Sequence, residues 1–243
     1  MMTAWILLTV VVGNGDAAAN LVKANTAYEE GRYGEAVELY ESLTADGIDN
    51  GHLWLNLGNS YLRTGDLGAA VAGYLRAEAL LPRDADIEAN LAFARKSSQD
   101  AIAPAQSTAV IRTLFFWHFA LSRLEIAQAL VLLNLLFWSL LAARLFRRRS
   151  EWLRWALFVA LIPLVALGAS LVVRTVAPRR LAVIRDAEID VHSGTGRDTV
   201  VQFKLHAGTQ TQWIESRDDW LRIALPDGKQ GWVPADEVIA LTL

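Results

Sequence analysis

The chain has 243 residues, more than one small domain needs and enough for two or three modules. Hydrophobic residues make up 53% of it and the mean hydropathy is +0.25, which points towards membrane-spanning segments. A net charge of −3 supplies no basic field for nucleic acid, and the absence of cysteine removes disulfide frameworks, thiolate metal sites and cysteine nucleophiles.

At the N-terminus, the apolar run Trp5–Val12 is followed by Gly13, Asn14, Gly15 and the small residues Ala17, Ala18 and Ala19. That order reads as an export signal over residues 1–19, cleaved before Asn20. No Lys or Arg precedes the run, so an uncleaved N-terminal anchor is the other reading. Both carry the following segment out of the cytoplasm.

Next comes a self-similar region, 20–98. Gly31, Tyr33, Ala36 and Tyr40 return as Gly65, Leu67, Ala70 and Tyr74, each displaced by 34 residues. This is the tetratricopeptide period. Trp54, Leu57, Gly58, Tyr61, Ala70, Tyr74, Ala77 and Pro82 resemble the tetratricopeptide consensus position by position. The first copy is looser, with Ala24 where glycine is usual and Leu43 where alanine is usual. The spacing predicts an all-α solenoid with repeats at about 20–50 and 51–84 and a capping helix at 85–98, whose Ile87, Leu91 and Ala92 share one side. Gly58 and Ala70 are small where two antiparallel helices touch; Trp54, Leu57, Tyr61 and Tyr74 fill the seam, and Pro82 ends the second helix. The concave face of such a stack binds peptides, and Asn25, Tyr28, Asn59, Leu62, Arg63 and Phe93 fall on it. Asn25 and Asn59 suit hydrogen bonding to a ligand's backbone or carboxylate; the plainer reading is that asparagine is common at this place in the repeat.

A linker at 99–110, containing Pro104, leads to an aromatic segment at 111–123. Its Leu114–Phe119 run suits a membrane–water interface. Ile126–Ala143 and Trp155–Val173 carry no charge over 18 and 19 residues. At ~1.5 Å per residue each gives about 27–29 Å of helix, close to the hydrocarbon thickness of a bilayer. Membrane helices are expected at 124–146 and 155–176. The loop between them, 147–154, and its flank hold Arg144, Arg147, Arg148, Arg149 and Arg154 against Glu151. Arginine-rich short loops stay in the cytoplasm, so both flanking domains are expected in the periplasm of a bacterial inner membrane. Gln128 and Asn134 suit an interhelical hydrogen bond of about 1 kcal/mol or less, and Pro163 a tolerated kink.

After Pro178 the pattern turns to short strands: 181–184, 200–205, 210–215, 220–224 and 231–233, with a tight turn at Pro226-Asp227-Gly228. Val191-His192-Ser193-Gly194, Gly208-Thr209, Trp220-Leu221-Arg222-Ile223 and Gly231-Trp232-Val233 resemble the bacterial SH3 (SH3b) domain. The resemblance covers 177–243 and implies an all-β SH3-like small barrel; His192 departs from the arginine frequent there. Such domains bind cell-wall peptides or proline-rich segments. Trp213, Trp220 and Trp232 are the ligand-face candidates, with Trp232 better suited to the barrel's own core and Trp220 to surface contact.

No catalytic residue, metal ligand set or cofactor site is expected. The four histidines, His52, His118, His192 and His206, are scattered, and no HExxH, GxSxG, P-loop or dinucleotide fingerprint occurs. Asp46 with Asp49, and Asp218 with Asp219, read as solvated turns.

The whole arrangement resembles the BatE proteins of the Bat aerotolerance operon. The resemblance implies a non-enzymatic scaffold in an envelope stress complex, beside membrane proteins with von Willebrand factor A domains and, indirectly, a MoxR-type ATPase. A peptidoglycan sensor or anchor acting through the SH3-like domain is the competing reading.

Overall fold

The computed structural model describes residues 15–100 and 109–243; the run Trp5–Val12 of the expected signal and most of the expected linker lie outside the described residues. The chain divides into two compact units, one joining helices to a sheet and one made of helices.

The first unit opens with α1 (Gly15–Glu29), α2 (Tyr33–Ala45), α3 (Gly51–Thr64), α4 (Leu67–Leu80) and α5 (Ala85–Ser97). Side-chain caps set three of the starts. Asn50 accepts from the backbone N–H of His52 at 2.9 Å and Leu53 at 3.3 Å. Asp66 accepts from Ala69 at 2.9 Å, and Asp84 from Asp86 at 3.0 Å and Ile87 at 3.2 Å. Each cap satisfies donors that a first helical turn leaves open and contributes about 1 kcal/mol. Gly31 and Gly65, one period apart, take φ of +78° and +88°, a left-handed turn that a side chain would disfavour. Their recurrence in the sequence therefore has a backbone cause.

Successive helices pack on one another. Tyr40, Leu43, Leu57, Tyr74, Leu75, Ile87 and Leu91 are fully buried. At the α3–α4 crossing a Cβ on Gly58 would lie 2.7 Å from the Tyr74 ring and 3.2 Å from the Ala70 carbonyl oxygen. The two helices meet there because Gly58 on α3 and Gly73 on α4 present no side chain, a Cβ on Gly73 falling 3.2 Å from the Gly58 Cα. Trp54 and Tyr61 are only half-buried. The indole N–H of Trp54 donates to Asp49 at 2.8 Å while Arg76 lies 4.3 Å over its ring. On α5 the buried stripe is Ile87, Leu91 and Ala94, and Ala92 is exposed, contrary to the expected side. A period of 3.6 places 87, 91 and 94 on one face.

The sheet holds β1 (Arg180–Ile184), β2 (Glu188–His192), β3 (Val201–His206), β4 (Gln210–Arg217), β5 (Trp220–Ala224), β6 (Gln230–Pro234) and β7 (Val238–Thr242), ordered β3-β2-β6-β5-β4-β1-β7. The registered pairs β1–β4, β2–β3, β2–β6, β4–β5 and β5–β6 are antiparallel. Two strands exceed the five expected. β2 carries three charged or polar residues and β7 closes the chain in a short apolar run, so neither stands out without its neighbours. One core cluster takes Leu205 from β3 and Val238 from β7, the strands at opposite ends of that order. A flat sheet would hold them about 29 Å apart at ~4.8 Å per strand, so the sheet curls around its core. At Gly231 a Cβ would meet Val191 Cγ1 at 2.4 Å, so the close passage of β2 over β6 requires glycine there.

The second unit comprises α6 (Ala109–Leu114), α7 (Phe116–Ala120), α8 (Arg123–Phe146) and α9 (Glu151–Val176). α8 and α9 are long and apolar enough to cross a membrane, and they pack on each other. Ser122 and Glu125 cap α8 reciprocally, Ser122 N–H donating to Glu125 at 2.8 Å and Glu125 N–H to Ser122 Oγ at 3.2 Å. α7 is tied to α9 by His118 Nδ1 and Ser170 Oγ at 2.6 Å, and Arg174 donates to the carbonyls of His118 and of Leu121, the latter at 2.9 Å. Among the described residues Gln128 and Asn134 form no interhelical hydrogen bond, contrary to expectation, and both side chains are exposed.

Candidate functional site

The helical part presents a repeated amide arrangement. Tyr40 donates its hydroxyl to Asn25 Oδ1 at 2.6 Å, and Asn56 Nδ2 lies 3.5 Å from the same oxygen. One period later Tyr74 donates to Asn59 Oδ1 at 2.8 Å, and Asn90 Nδ2 donates to it at 3.2 Å. Asn25, Asn56, Asn59 and Asn90 thus lie along α1, α3 and α5, joined to the intervening helices through buried tyrosines. Burial pushes the Tyr40 phenol up to about 12, and it raises Tyr74 as well, so both hydroxyls stay protonated donors.

The expected site residues distribute as follows. Asn25 and Tyr28 stand on α1, Asn59, Leu62 and Arg63 on α3, and Phe93 on α5, one period from Asn59. Asn25 and Asn59 are half-buried and use their Oδ1 atoms internally, so the donor capacity of each amide rests on its Nδ2. A hydrogen bond with Tyr28 holds the Arg63 guanidinium above its usual pKa, and Arg63 also stands 5.9 Å over the Tyr33 ring. Phe93 is 59% exposed, an apolar side chain outside the buried Ile87, Leu91 and Ala94 stripe of its helix. Asn56 and Asn90 belong to the same constellation and were not picked out from the sequence; their 34-residue spacing was the available signal.

On the sheet the three tryptophans have different surroundings. Trp232 is 8% exposed, with Arg217 at 5.1 Å over its ring. Trp213 is half-buried against the core, donates its Nε1 proton to the Leu241 carbonyl at 3.4 Å and carries Arg180 at 4.9 Å. Trp220 is half-buried and meets His192 edge-on at 5.4 Å. A depression of about 230 Å³ lies beside His192, lined by Glu188, Asp190, Arg197, Pro234 and Glu237. Burial raises the Glu237 carboxyl, and neighbouring Asp236, Asp186 and Asp190 add to this while Arg197, at 3.2 Å, opposes it. Among the described residues no group of side chains is arranged to hold a metal ion.

Within the first unit the helices are bonded to the sheet. Gly68 on α4 abuts β1 so closely that a Cβ would lie 2.5 Å from the Ile184 carbonyl oxygen. Gly208, with φ of +82°, faces Leu67 in the same way at 2.9 Å. Beyond α5, Ser98 donates to the Ala207 carbonyl at 3.0 Å. Asp100 accepts from the His206 backbone N–H at 2.7 Å and from Thr209 Oγ1 at 2.6 Å, and faces His206 Nδ1 at 2.9 Å. Burial pushes Asp100 upward, but the bonds from Thr209 and His206 outweigh it and hold the carboxyl below its usual value. The bond to Asp100 raises His206, with Glu188 adding to the effect. Asp100 lies in the stretch read as linker, and its partners are more than a hundred residues away, so no local pattern marks it.

Comparison with protein-family models and with curated proteins finds no match.

Proposed function

We propose that this chain is a non-catalytic adaptor held in a bacterial inner membrane by α8 and α9. In this reading α1–α5 are a tetratricopeptide solenoid, the seven strands an SH3-like barrel, and both face the periplasm. The arginine-rich turn between α8 and α9 supports that orientation. The curled sheet with a single core supports the barrel.

The observation that carries the reading is the repetition of the amide–tyrosine bonding itself. Asn25 with Tyr40 and Asn56, and Asn59 with Tyr74 and Asn90, are the same construction displaced by 34 residues. With each Oδ1 saturated, the Nδ2 donors of Asn25 and Asn59 serve a ligand's carbonyl or carboxylate oxygen. Arg63 adds a cation and Phe93 an apolar contact. A peptide with an acidic or terminal carboxylate is the ligand class this surface suits. On the resemblance to BatE proteins, the partners proposed are von Willebrand factor A-domain membrane proteins and, indirectly, a MoxR-type ATPase.

The test is affinity purification of the tagged full-length protein after in-cell cross-linking, with mass spectrometry of its partners. An Arg63→Ala/Phe93→Ala variant alters two exposed side chains and should lose the captured proteins while retaining its expression level. Unchanged capture would overturn the groove assignment, and recovery of murein alone would transfer binding to the sheet. Alkaline phosphatase fused after Leu243 should be active; an inactive fusion would refute the topology.

A further inference from the structure

We propose that two copies of this chain associate in the membrane through α8, with Asn134 of one copy hydrogen-bonded to Asn134 of the second. The proposal rests on the membrane reading of α8 and α9 and goes beyond the adaptor role.

α8 spans 24 residues and Asn134 lies at their midpoint. A carboxamide at that depth has no water to bond with, and burial in hydrocarbon without a partner is costly. Among the described residues it has no hydrogen-bond partner: Asn134 is exposed, while the buried or half-buried residues of α8 include Ile126, Ala127, Leu133, Phe137, Leu140, Leu141 and Arg144. Gln128 is also exposed, but it sits within two turns of the start of α8 and can reach the interface by extending its side chain. Asn134 is too far from either end to do so.

The missing partner must offer both a donor and an acceptor at mid-membrane. A second Asn134 meets both requirements. An amide is self-complementary, so two of them pair reciprocally across a two-fold axis. Copies inserted with the same topology place the residue at the same depth without further adjustment. The seam around it suits a parallel pair. Ala127, Val131, Asn134, Trp138, Leu141 and Leu145 recur at alternating steps of four and three, the spacing of left-handed helix pairs in membranes. Val131, Trp138 and Leu145 are 60%, 58% and 65% exposed, so the seam is open along these residues and Asn134, with Ala127 and Leu141 half-buried at its margin.

The natural protein contains no cysteine, so single-cysteine variants report contacts cleanly. Two differently tagged full-length copies are co-expressed, and membranes are oxidised with copper phenanthroline. Val131→Cys, Trp138→Cys and Leu145→Cys should give a disulfide-linked product carrying both tags. Leu133→Cys and Phe137→Cys, on the α9-facing stripe, should give little. Adding Asn134→Leu to Val131→Cys should lower the yield about threefold to tenfold, and Asn134→Gln should preserve most of it. Leucine favours insertion, so this loss is not a failure to enter the membrane; retention after alkaline carbonate extraction reports insertion separately and tests the membrane reading on its own. The dimer is refuted by cross-linking no greater on the seam than on the control stripe, by indifference to Asn134→Leu, or by products joining the chain to a different protein alone.

Discussion

Gly58→Ala sets two rules in opposition. In a helix interior alanine is favoured over glycine by about 0.8–1 kcal/mol, so propensity predicts stabilisation. The added methyl, however, would lie 2.7 Å and 2.8 Å from two carbons of the Tyr74 ring and 3.2 Å from the Ala70 carbonyl oxygen. Carbon atoms rest at about 3.5–4.0 Å, so the overlap approaches an ångström. The ring cannot turn aside cheaply, because Tyr74 is fully buried and its hydroxyl is tied to Asn59 at 2.8 Å. Overpacking of this kind costs about 1–3 kcal/mol, and relief by helix separation would loosen the amide bonds too. The net expectation is a loss of up to about 2 kcal/mol in the α3–α4 region. Gly34→Ala is the control: nothing lies within 4 Å of the position a Cβ would take there, so this change should stabilise by about 0.4–1 kcal/mol. Hydrogen exchange with mass spectrometry on the full-length protein in mild detergent resolves both effects, as amides of α3 and α4 exchange about tenfold faster per 1.4 kcal/mol lost. Equal stabilisation by both substitutions would show that α3 and α4 do not meet as closely as described.

Tyr40→Phe and Tyr74→Phe each delete one hydroxyl donor from equivalent bonds and should each cost about 1 kcal/mol, read by the same exchange experiment; a large difference between them would break the equivalence of the repeats. Gly68→Val drives a branched side chain into the backbone of β1 and should expose residues 182–185 and 207–210 to exchange while leaving α8 and α9 unchanged. The Asp100–His206 contact should depend on pH with a defined sign. His206 is raised in the folded state, so its contribution is complete below about 6.5 and fades as pH rises through the higher folded value. Asp100 is lowered, so its contribution is present above about 3.9 and fades as pH falls through the lower folded value. Exchange at 206–210, corrected for intrinsic rate, should be slower at pH 6 than at pH 8.5, and Asp100→Asn should remove most of that difference, leaving only the smaller part due to Glu188; a difference undiminished by the substitution would rule out the Asp100–His206 contact as its source.

Much of the candidate site could be read in the chain because its logic is periodic. Asn25 and Asn59, Tyr40 and Tyr74, and Gly31 and Gly65 stand one repeat apart, and the structure gives each pair the same bond or the same backbone turn. Asn56 and Asn90 escaped attention because a polar residue on a helix surface carries no sign of what it faces. Trp213, Trp220 and Trp232 were visible as aromatic residues on strands, but their exposure depends on how the sheet curls, which strand patterns leave open. The side of α5 went astray at Ala92 for a related reason: alanine fits either face, and packing on α4 selected Ala94.

Local periodicity and composition by themselves determined the helical repeat, the two apolar spans and the run of short strands, since each is written in neighbours a few residues apart. The tertiary structure alone decided that α4 and Asp100 bind the sheet, that β2 and β7 complete it, and that Asn134 turns away from α9. Those outcomes join residues from distant parts of the chain. Each depends on which of several chemically acceptable faces meets which, and only the packed molecule makes that choice.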